Sequence, residues 1–177
     1  MTINNPLTDT RKLYEADRRF GRASYIAWNF IIFLISALYM AVLISVYWTD
    51  IHAVFNLPSY ETTESLLLIE ETIESLNAFV ALINFIYLYF LFVFSIKRLH
   101  DLDRSGWLSL LNLIPIINLF FSAWLSIKVG SEGKNQFGYP RTTQPWEYTV
   151  AWASVIIMVI FGLVLIGAIL MLISKIS

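Results

Sequence analysis

The chain has no cysteine. That excludes disulfides, thiolate metal sites, iron–sulfur clusters and a cysteine nucleophile. Histidine is nearly as scarce: His52 and His100 lie far apart and leave little material for a zinc site. Charge is thin as well, at 14% of residues. Soluble domains carry about 25%. The net charge of −1 gives no bulk attraction to nucleic acid. Apolar side chains fill the space these absences leave. They make up 58% of the 177 residues. Soluble proteins average a little under half. A disordered chain is excluded and an ordinary soluble globule is disfavoured.

The apolar residues are gathered into four runs without a charge: Tyr25 to Trp48, Leu76 to Ile96, Trp107 to Ile127 and Ala151 to Ser174. Each is long enough, at about 1.5 Å per residue, to cover a bilayer core of about 30 Å. Trp and Tyr flank the runs, at Tyr25, Trp28, Tyr47, Trp48, Trp107, Trp124, Trp146, Tyr148 and Trp152, where their rings suit the headgroup layer. The expected fold is all-α: a polytopic transmembrane helical bundle in a single membrane domain over 25–174. A basic segment over 1–24, without the apolar core of a signal peptide, precedes it. Within that segment residues 10–20 read as an interfacial helix. Leu13, Ala16 and Phe20 fall on one stripe, and Arg11, Lys12, Arg18 and Arg19 lie roughly opposite. A basic tail that only sets topology is the plainer alternative.

Orientation follows from lysine and arginine. Arg11, Lys12, Arg18, Arg19 and Arg22 precede the first run, and Lys97, Arg98 and Arg104 follow the second. The segment between them, 49–75, has no basic residue and carries Asp50, Glu61, Glu64, Glu70, Glu71 and Glu74. The positive-inside rule then places the N-terminus and the 97–106 turn in the cytoplasm and the acidic loop outside. Residues 63–75 are expected to extend the second span as a helix, with Leu66, Ile69, Ile73 and Leu76 on one face. The third run is interrupted by Pro115, which lacks a backbone donor and biases the preceding residue away from helix. A Pro-centred re-entrant hairpin would leave eleven basic residues inside and one outside. A straight crossing would leave nine inside and three outside. Three crossings plus a hairpin is therefore the favoured architecture, and four crossings the alternative.

Polar residues inside the runs are few. Ala37, Ala41 and Ser45 recur every four residues on the first span, and Asn77, Ala81 and Asn84 make a comparable face on the second. Small residues at that spacing permit close helix approach, and a deep asparagine needs a partner. Asn112 and Asn118 flank Pro115 and can serve the freed backbone of a hairpin. No ionisable group lies within a run, which weighs against an ion-coupled transporter.

The densest polar constellation is Lys97-Arg98-Leu99-His100-Asp101-Leu102-Asp103-Arg104-Ser105-Gly106-Trp107. Much of it serves a turn: Asp101 can pair with Lys97 or Arg98, Asp103 or Ser105 can cap the next helix, and Gly106 permits a tight approach. The functional alternative is a headgroup or phosphate site built from Arg98, His100 and Arg104. A second cluster, Gly130-Ser-Glu-Gly133-Lys134-Asn135-Gln-Phe137-Gly138, lacks the phosphate-loop spacing and reads as a glycine-rich turn. The His100-Asp101 pair has no further ligands at helical spacing for a metal hydrolase.

These residues carry a resemblance. Arg98-x-His100-Asp101, Ser105-Gly106-Trp107, an Ile-Pro-Ile run and Gly130-x-x-Gly133-x-Asn135-x-Phe137-Gly138 together resemble the bacterial inner-membrane family known as domain of unknown function 805 (DUF805), the YhaH-like proteins. Phe20-Gly21-Arg22-Ala23-Ser24 is similar to the Gly-Arg element with which that family opens. The resemblance covers roughly 18–140. Tyr25 stands where family members usually carry a second arginine, and the acidic loop and the span over 145–174 look like additions. It implies a bacterial inner-membrane location and supplies no reaction.

The leading expectation is a non-enzymatic membrane module. Its cytoplasmic face of Arg22, Arg98, His100, Asp101, Arg104, Ser105, Gly106 and Asn135 would bind anionic headgroups or a protein partner. Asn77, Asn84, Asn112 and Asn118 would serve intramembrane packing. Membrane lipids are the expected partners, with a homo-oligomer or a protein partner also open and nucleic acid not expected. Neither cofactor nor metal is indicated. A small oligomeric transporter or channel is the alternative, and a membrane-bound enzyme ranks third.

Overall fold

A computed structural model of the chain describes residues 19–49, 52 and 63–176. Among these, regular structure is helical apart from one isolated bridge between Asn135 and Gly138. Four α-helices carry most of it: α1 (Arg22–Val46), α2 (Thr63–Asp101), α3 (Pro115–Ile127) and α4 (Pro145–Ile176). A 3-10 helix over Gly106–Leu113 precedes α3. In lipid every backbone polar group must be satisfied within the chain, and helices do this segment by segment. Three stretches are long and apolar enough to cross a membrane: Arg22–Val46, Ile73–Asp101 and Pro145–Lys175. The protein is a transmembrane helical protein.

With 39 residues, α2 extends about 58 Å, well beyond a bilayer core of about 30 Å. Its first turns carry Glu64, Glu70, Glu71 and Glu74, so the expected extension over 63–75 is helical. The expected interfacial helix over 10–20 lies outside the described residues except at Arg19 and Phe20. Those two are buried and not helical. The acidic loop lies outside them at 50–51 and 53–62.

The third apolar run does not cross. Pro115 sits at the first position of α3, where its missing N–H is no loss. Ile114 before it has an extended conformation, φ −99° and ψ 108°, as a residue preceding proline prefers. It ends the 3-10 helix there. The run thus splits into a 3-10 arm of 8 residues and an α-helical arm of 13. The longer arm spans only about 20 Å. The two ends of the hairpin meet: the Ser131 N–H donates to the Asp101 carbonyl at 2.8 Å. A straight crossing would hold those residues about 30 Å apart. Asn112 fixes the 3-10 arm to α2, its Nδ2 donating to Ser95 Oγ (3.0 Å) and the Ser109 carbonyl (2.8 Å). On α3, Phe121 and Leu125 are buried, while Ile116, Leu119, Phe120 and Ile127 present apolar surface outward. Asn118 Oδ1 accepts from Ser122 Oγ at 2.8 Å along α3 itself.

The chain forms two compact units, one of Ile31–Leu91 and the other of Met1–Phe30 with Phe92–Ser177. In the first, α1 and α2 touch through large side chains. Leu43 and Ile83 are buried, Tyr47 and Phe79 bring their rings to 6.4 Å, and Tyr39 Oη reaches the Phe79 carbonyl at 3.4 Å. Ala37, Ala41, Ser45, Asn77, Ala81 and Asn84 are all exposed on that unit. The contact runs through aromatic and branched residues rather than the small-residue faces.

Candidate functional site: an arginine cluster around two carboxylates

The second unit gathers the start of α1, the end of α2, both feet of the hairpin and the start of α4. Arg19 and Arg98 are fully buried there, with Asp101 between them. Arg19 Nε donates to Asp101 Oδ1 (3.1 Å) and Arg98 Nη1 to Asp101 Oδ2 (2.5 Å). Most of the remaining guanidinium donors find carbonyls. Arg19 reaches those of Ser131 (2.5 Å), Gly133 (2.6 Å) and Gly138 (3.0 Å). Arg98 reaches those of Leu125 (2.8 Å), Phe20 (3.1 Å) and Lys128. The last α3 carbonyls lack helical partners, and a cation among them is favourable on both hydrogen-bond and dipole grounds. Arg98 thereby clamps the hairpin's returning foot to α2, and Arg19 clamps the 131–138 turn.

The Phe20 peptide is held on both sides, its N–H by the Lys97 carbonyl (3.0 Å) and its carbonyl by Arg98. Lys97, also fully buried, lies over the Phe20 ring at 5.0 Å, and Arg141 lies over the same ring at 5.3 Å. Burying cations against a ring face recovers part of their lost hydration.

A second carboxylate organises the start of α4. Glu147 is fully buried and accepts from Gln144 N–H (2.7 Å), Trp28 Nε1 (2.9 Å), Ser24 Oγ (3.1 Å) and Arg141 Nη1 (2.9 Å). The bond back to Gln144 is the glutamate half of a capping box, with Pro145 opening the helix. The bonds to Ser24 and Trp28 tie α4 to α1.

The turn after α2 has a defined geometry. The Arg104 N–H reaches the Leu99 carbonyl (2.9 Å) and the Asp103 N–H the His100 carbonyl (3.2 Å), with Asp103 left-handed at φ 56°. This is a Schellman closure. Asp103 therefore ends α2, and Ser105 caps the 3-10 helix by accepting from the Trp107 N–H at 3.4 Å. Gly106 allows close approach: a Cβ there would lie 3.1 Å from Ile96 Cγ2 and 3.3 Å from His100 Nε2. Gly130 is tighter, since its Cβ would fall 1.9 Å from Asp101 Oδ2.

The expected site residues separate by position. Arg98, Asp101 and His100 are buried. The His100 ring stacks on Phe137 at 3.8 Å and 6°. Asn135 organises its own turn, its Nδ2 donating to the His100 carbonyl (2.7 Å) and its Oδ1 accepting from the Phe137 N–H (2.9 Å). Arg22 and Arg104 face outward. Arg104 and Ser105 do not join the Asp101 cluster. Arg19, Lys97, Arg141 and Glu147 do belong to this end of the molecule, yet spacing did not mark them as site residues. Two of them had a local signal: Lys97 stands in the 97–107 constellation, and Glu147 is a glutamate two residues after the opening proline of a helix.

A cavity of about 510 Å³ opens beside the cluster. Arg22, Arg98, Asp101 and Arg141 line its polar part, and Ile26, Trp152 and Val155 its apolar part. The Arg22 and Arg98 charges repel one another. Arg22 has no hydrogen bond or ion pair among the described residues. A second cavity, about 620 Å³, lies between His100, Trp107 and Phe137. Among the described residues no group of three His, Asp or Glu side chains could hold a metal ion.

The family match falls on the same residues. A family described as "Protein of unknown function (DUF805)" matches over 13–139, which takes in Arg19, the α2 terminus, the hairpin and the 130–138 turn, and stops before Arg141 and α4. The "Inner membrane protein YhaH" of Escherichia coli (strain K12) is 41% identical over 49 residues, 28% of this chain and 40% of that protein. The protein of the same name from Escherichia coli O157:H7 matches to the same extent. The chain thus spans 40% of the length of these curated relatives. No solved structure matches. With the family match covering most of the sequence and the whole arginine–aspartate clamp, the chain belongs to the DUF805 family.

Proposed function

We propose that this protein is a non-enzymatic module of the bacterial inner membrane that binds anionic lipid headgroups at the cytoplasmic face of its arginine-rich unit. The observation that carries the reading is Arg22. It lines the cavity beside Arg98 and Arg141, and among the described residues it has no counter-ion. Arg19 and Arg98 share Asp101, and Arg141 pairs with Glu147, so no carboxylate among the described residues is left for Arg22. An uncompensated guanidinium held near others of the same sign is stabilised by a phosphate, which it can hold through two parallel hydrogen bonds.

The distribution of charge supports the orientation. With residues 107–127 doubling back, every described lysine and arginine except Lys175 lies on the side of the cluster, which the positive-inside rule makes cytoplasmic. That leaflet is anionic and attracts nearby basic residues by about 1 kcal/mol each. The name of the YhaH relatives, an inner membrane protein, is consistent with this placement. Lipid is preferred over a protein partner because exposed aromatic side chains, Tyr148 and Trp152, stand beside the charged residues, as a membrane surface requires.

The test is native mass spectrometry of the full chain released from detergent with phosphatidylglycerol or phosphatidylcholine. Preferential retention of phosphatidylglycerol, weakened by Arg22→Ala, is expected. Equal retention of both lipids would overturn the proposal.

A further inference from the structure

Resting on that reading, we infer that the 510 Å³ cavity is a single stoichiometric site for one anionic glycerophospholipid. Its phosphate would sit between Arg22 and Arg141, and one acyl chain would leave along Ile26, Trp152 and Val155. The surface attraction proposed above requires no such seat.

Free donors converge on the polar part. Arg22 has all its guanidinium donors open among the described residues. Arg141 uses only Nη1, on Glu147 and Ser24, so Nε and Nη2 are open in the same sense. Arg98, on the same wall, has four of its five donors committed to Asp101 and three carbonyls and adds chiefly charge. Gly21, Arg22 and Ala23, at the head of α1, also line the cavity, and the positive end of the helix dipole adds to the same field. The backbone segments that carry the two arginines are set against each other. Gly21 and Thr143 are close neighbours, so that a Cβ on Gly21 would lie 3.1 Å from Thr143 Oγ1. The segments bearing Arg22 and Arg141 are thereby set beside each other, and the Glu147 network fixes the second.

The apolar part decides the source of the phosphate. A soluble anion has no use for Ile26, Trp152 and Val155, whereas a lipid must place its glycerol and chains somewhere. Trp152 and Val155 are exposed, at 67% and 38%, and α4 beyond them presents exposed apolar side chains as far as Ile173. A chain leaving the cavity therefore meets bilayer. The volume lies within the range of about 300–1,000 Å³ usual for small-molecule sites. That is room for a headgroup and glycerol but not for whole acyl chains.

The experiment uses the full chain and native mass spectrometry with phosphatidylglycerol, together with melting followed by tryptophan fluorescence. Wild type should hold one tightly bound lipid per chain beyond a loosely held population. Arg22→Gln should reduce that first adduct about tenfold, the loss expected for one charge-assisted contact. Val155→Trp fills the apolar part without altering charge and should remove the first adduct while leaving the loose anionic preference intact. Should Val155→Trp melt early, Ala23→Leu narrows the same cavity from α1. If the adduct persists in a well-folded filled variant, the cavity site is wrong and the surface reading stands. If wild type shows no preference for anionic lipid, both readings fail. Inorganic phosphate raising the melting temperature as much as short-chain phosphatidylglycerol would make a soluble anion the ligand and overturn the lipid assignment.

Discussion

Gly130→Ala is a severe substitution in this structure, although it adds only one methyl group to a turn. The added Cβ would lie 1.9 Å from Asp101 Oδ2 and 2.7 Å from its Cγ. Neither the turn nor the carboxylate can move freely. The Ser131 N–H and Oγ both bond the Asp101 carbonyl, at 2.8 and 3.0 Å, and the carboxylate is held by Arg19 and Arg98. Displacing it leaves two guanidiniums of 0% exposure without their counter-ion. Breaking a buried pair of this kind costs about 3–5 kcal/mol. For a chain of this length that corresponds to about 6–20 °C in melting temperature. Intrinsic tryptophan fluorescence of the purified protein in detergent reads it directly, with Gly162→Ala as control because nothing lies within 4 Å of a Cβ there. The mechanism makes a second demand. If Gly130→Ala acts through Asp101, adding it to Asp101→Ala should cost much less than it does alone. A Gly130→Ala protein that melts within about 2 °C of wild type, or strict additivity in the double variant, refutes the reasoning.

The remaining predictions concern topology and the two helix ends. In an otherwise cysteine-free chain, Glu132→Cys should stay protected from a membrane-impermeant maleimide in intact cells while Ser174→Cys is labelled; labelling at 132 would contradict the orientation. Glu147→Ala strands Arg141 together with the donors of Trp28 and Ser24, and thermal melting should show a loss of about 3–5 kcal/mol. Trp28→Phe should cost about 1.5–3 kcal/mol for the single bond to a charged acceptor; a larger effect for Trp28→Phe than for Glu147→Ala would show that ring packing, not the carboxylate, joins α1 to α4. Asp103 is left-handed at φ 56°. Asp103→Gly should therefore leave the melting temperature unchanged or raise it by the few degrees that about 1 kcal/mol supplies, and Asp103→Val should lower it.

Lipid solubility is an additive property of residues, and for that reason the helices were legible. A run without charge announces a span whatever it packs against, and the helices at 22–46 and 145–176 enclose two of the runs almost entirely. The hairpin was legible for a local reason: proline acts on its own peptide and the residue before it, and Pro115 and Ile114 show both effects. The packing faces were less legible. Periodicity places Asn77, Ala81 and Asn84 on one side of α2, but which side meets α1 depends on both helices, and the contact runs through Phe79 and Ile83. The candidate site was legible only in part, because its chemistry is long-range. Arg98 and Asp101 are three residues apart and could be paired by eye. Arg19 is 82 residues from Asp101, and Ser24 is 123 from Glu147. Nothing in spacing distinguishes an arginine that orients a chain in the bilayer from one that is buried to hold a turn. Arg19 and Arg22 look alike in the sequence. One has its donors filled by carbonyls and a carboxylate, and the other has none filled among the described residues. That difference makes Arg19 part of the scaffold and leaves Arg22 as the residue open to a ligand.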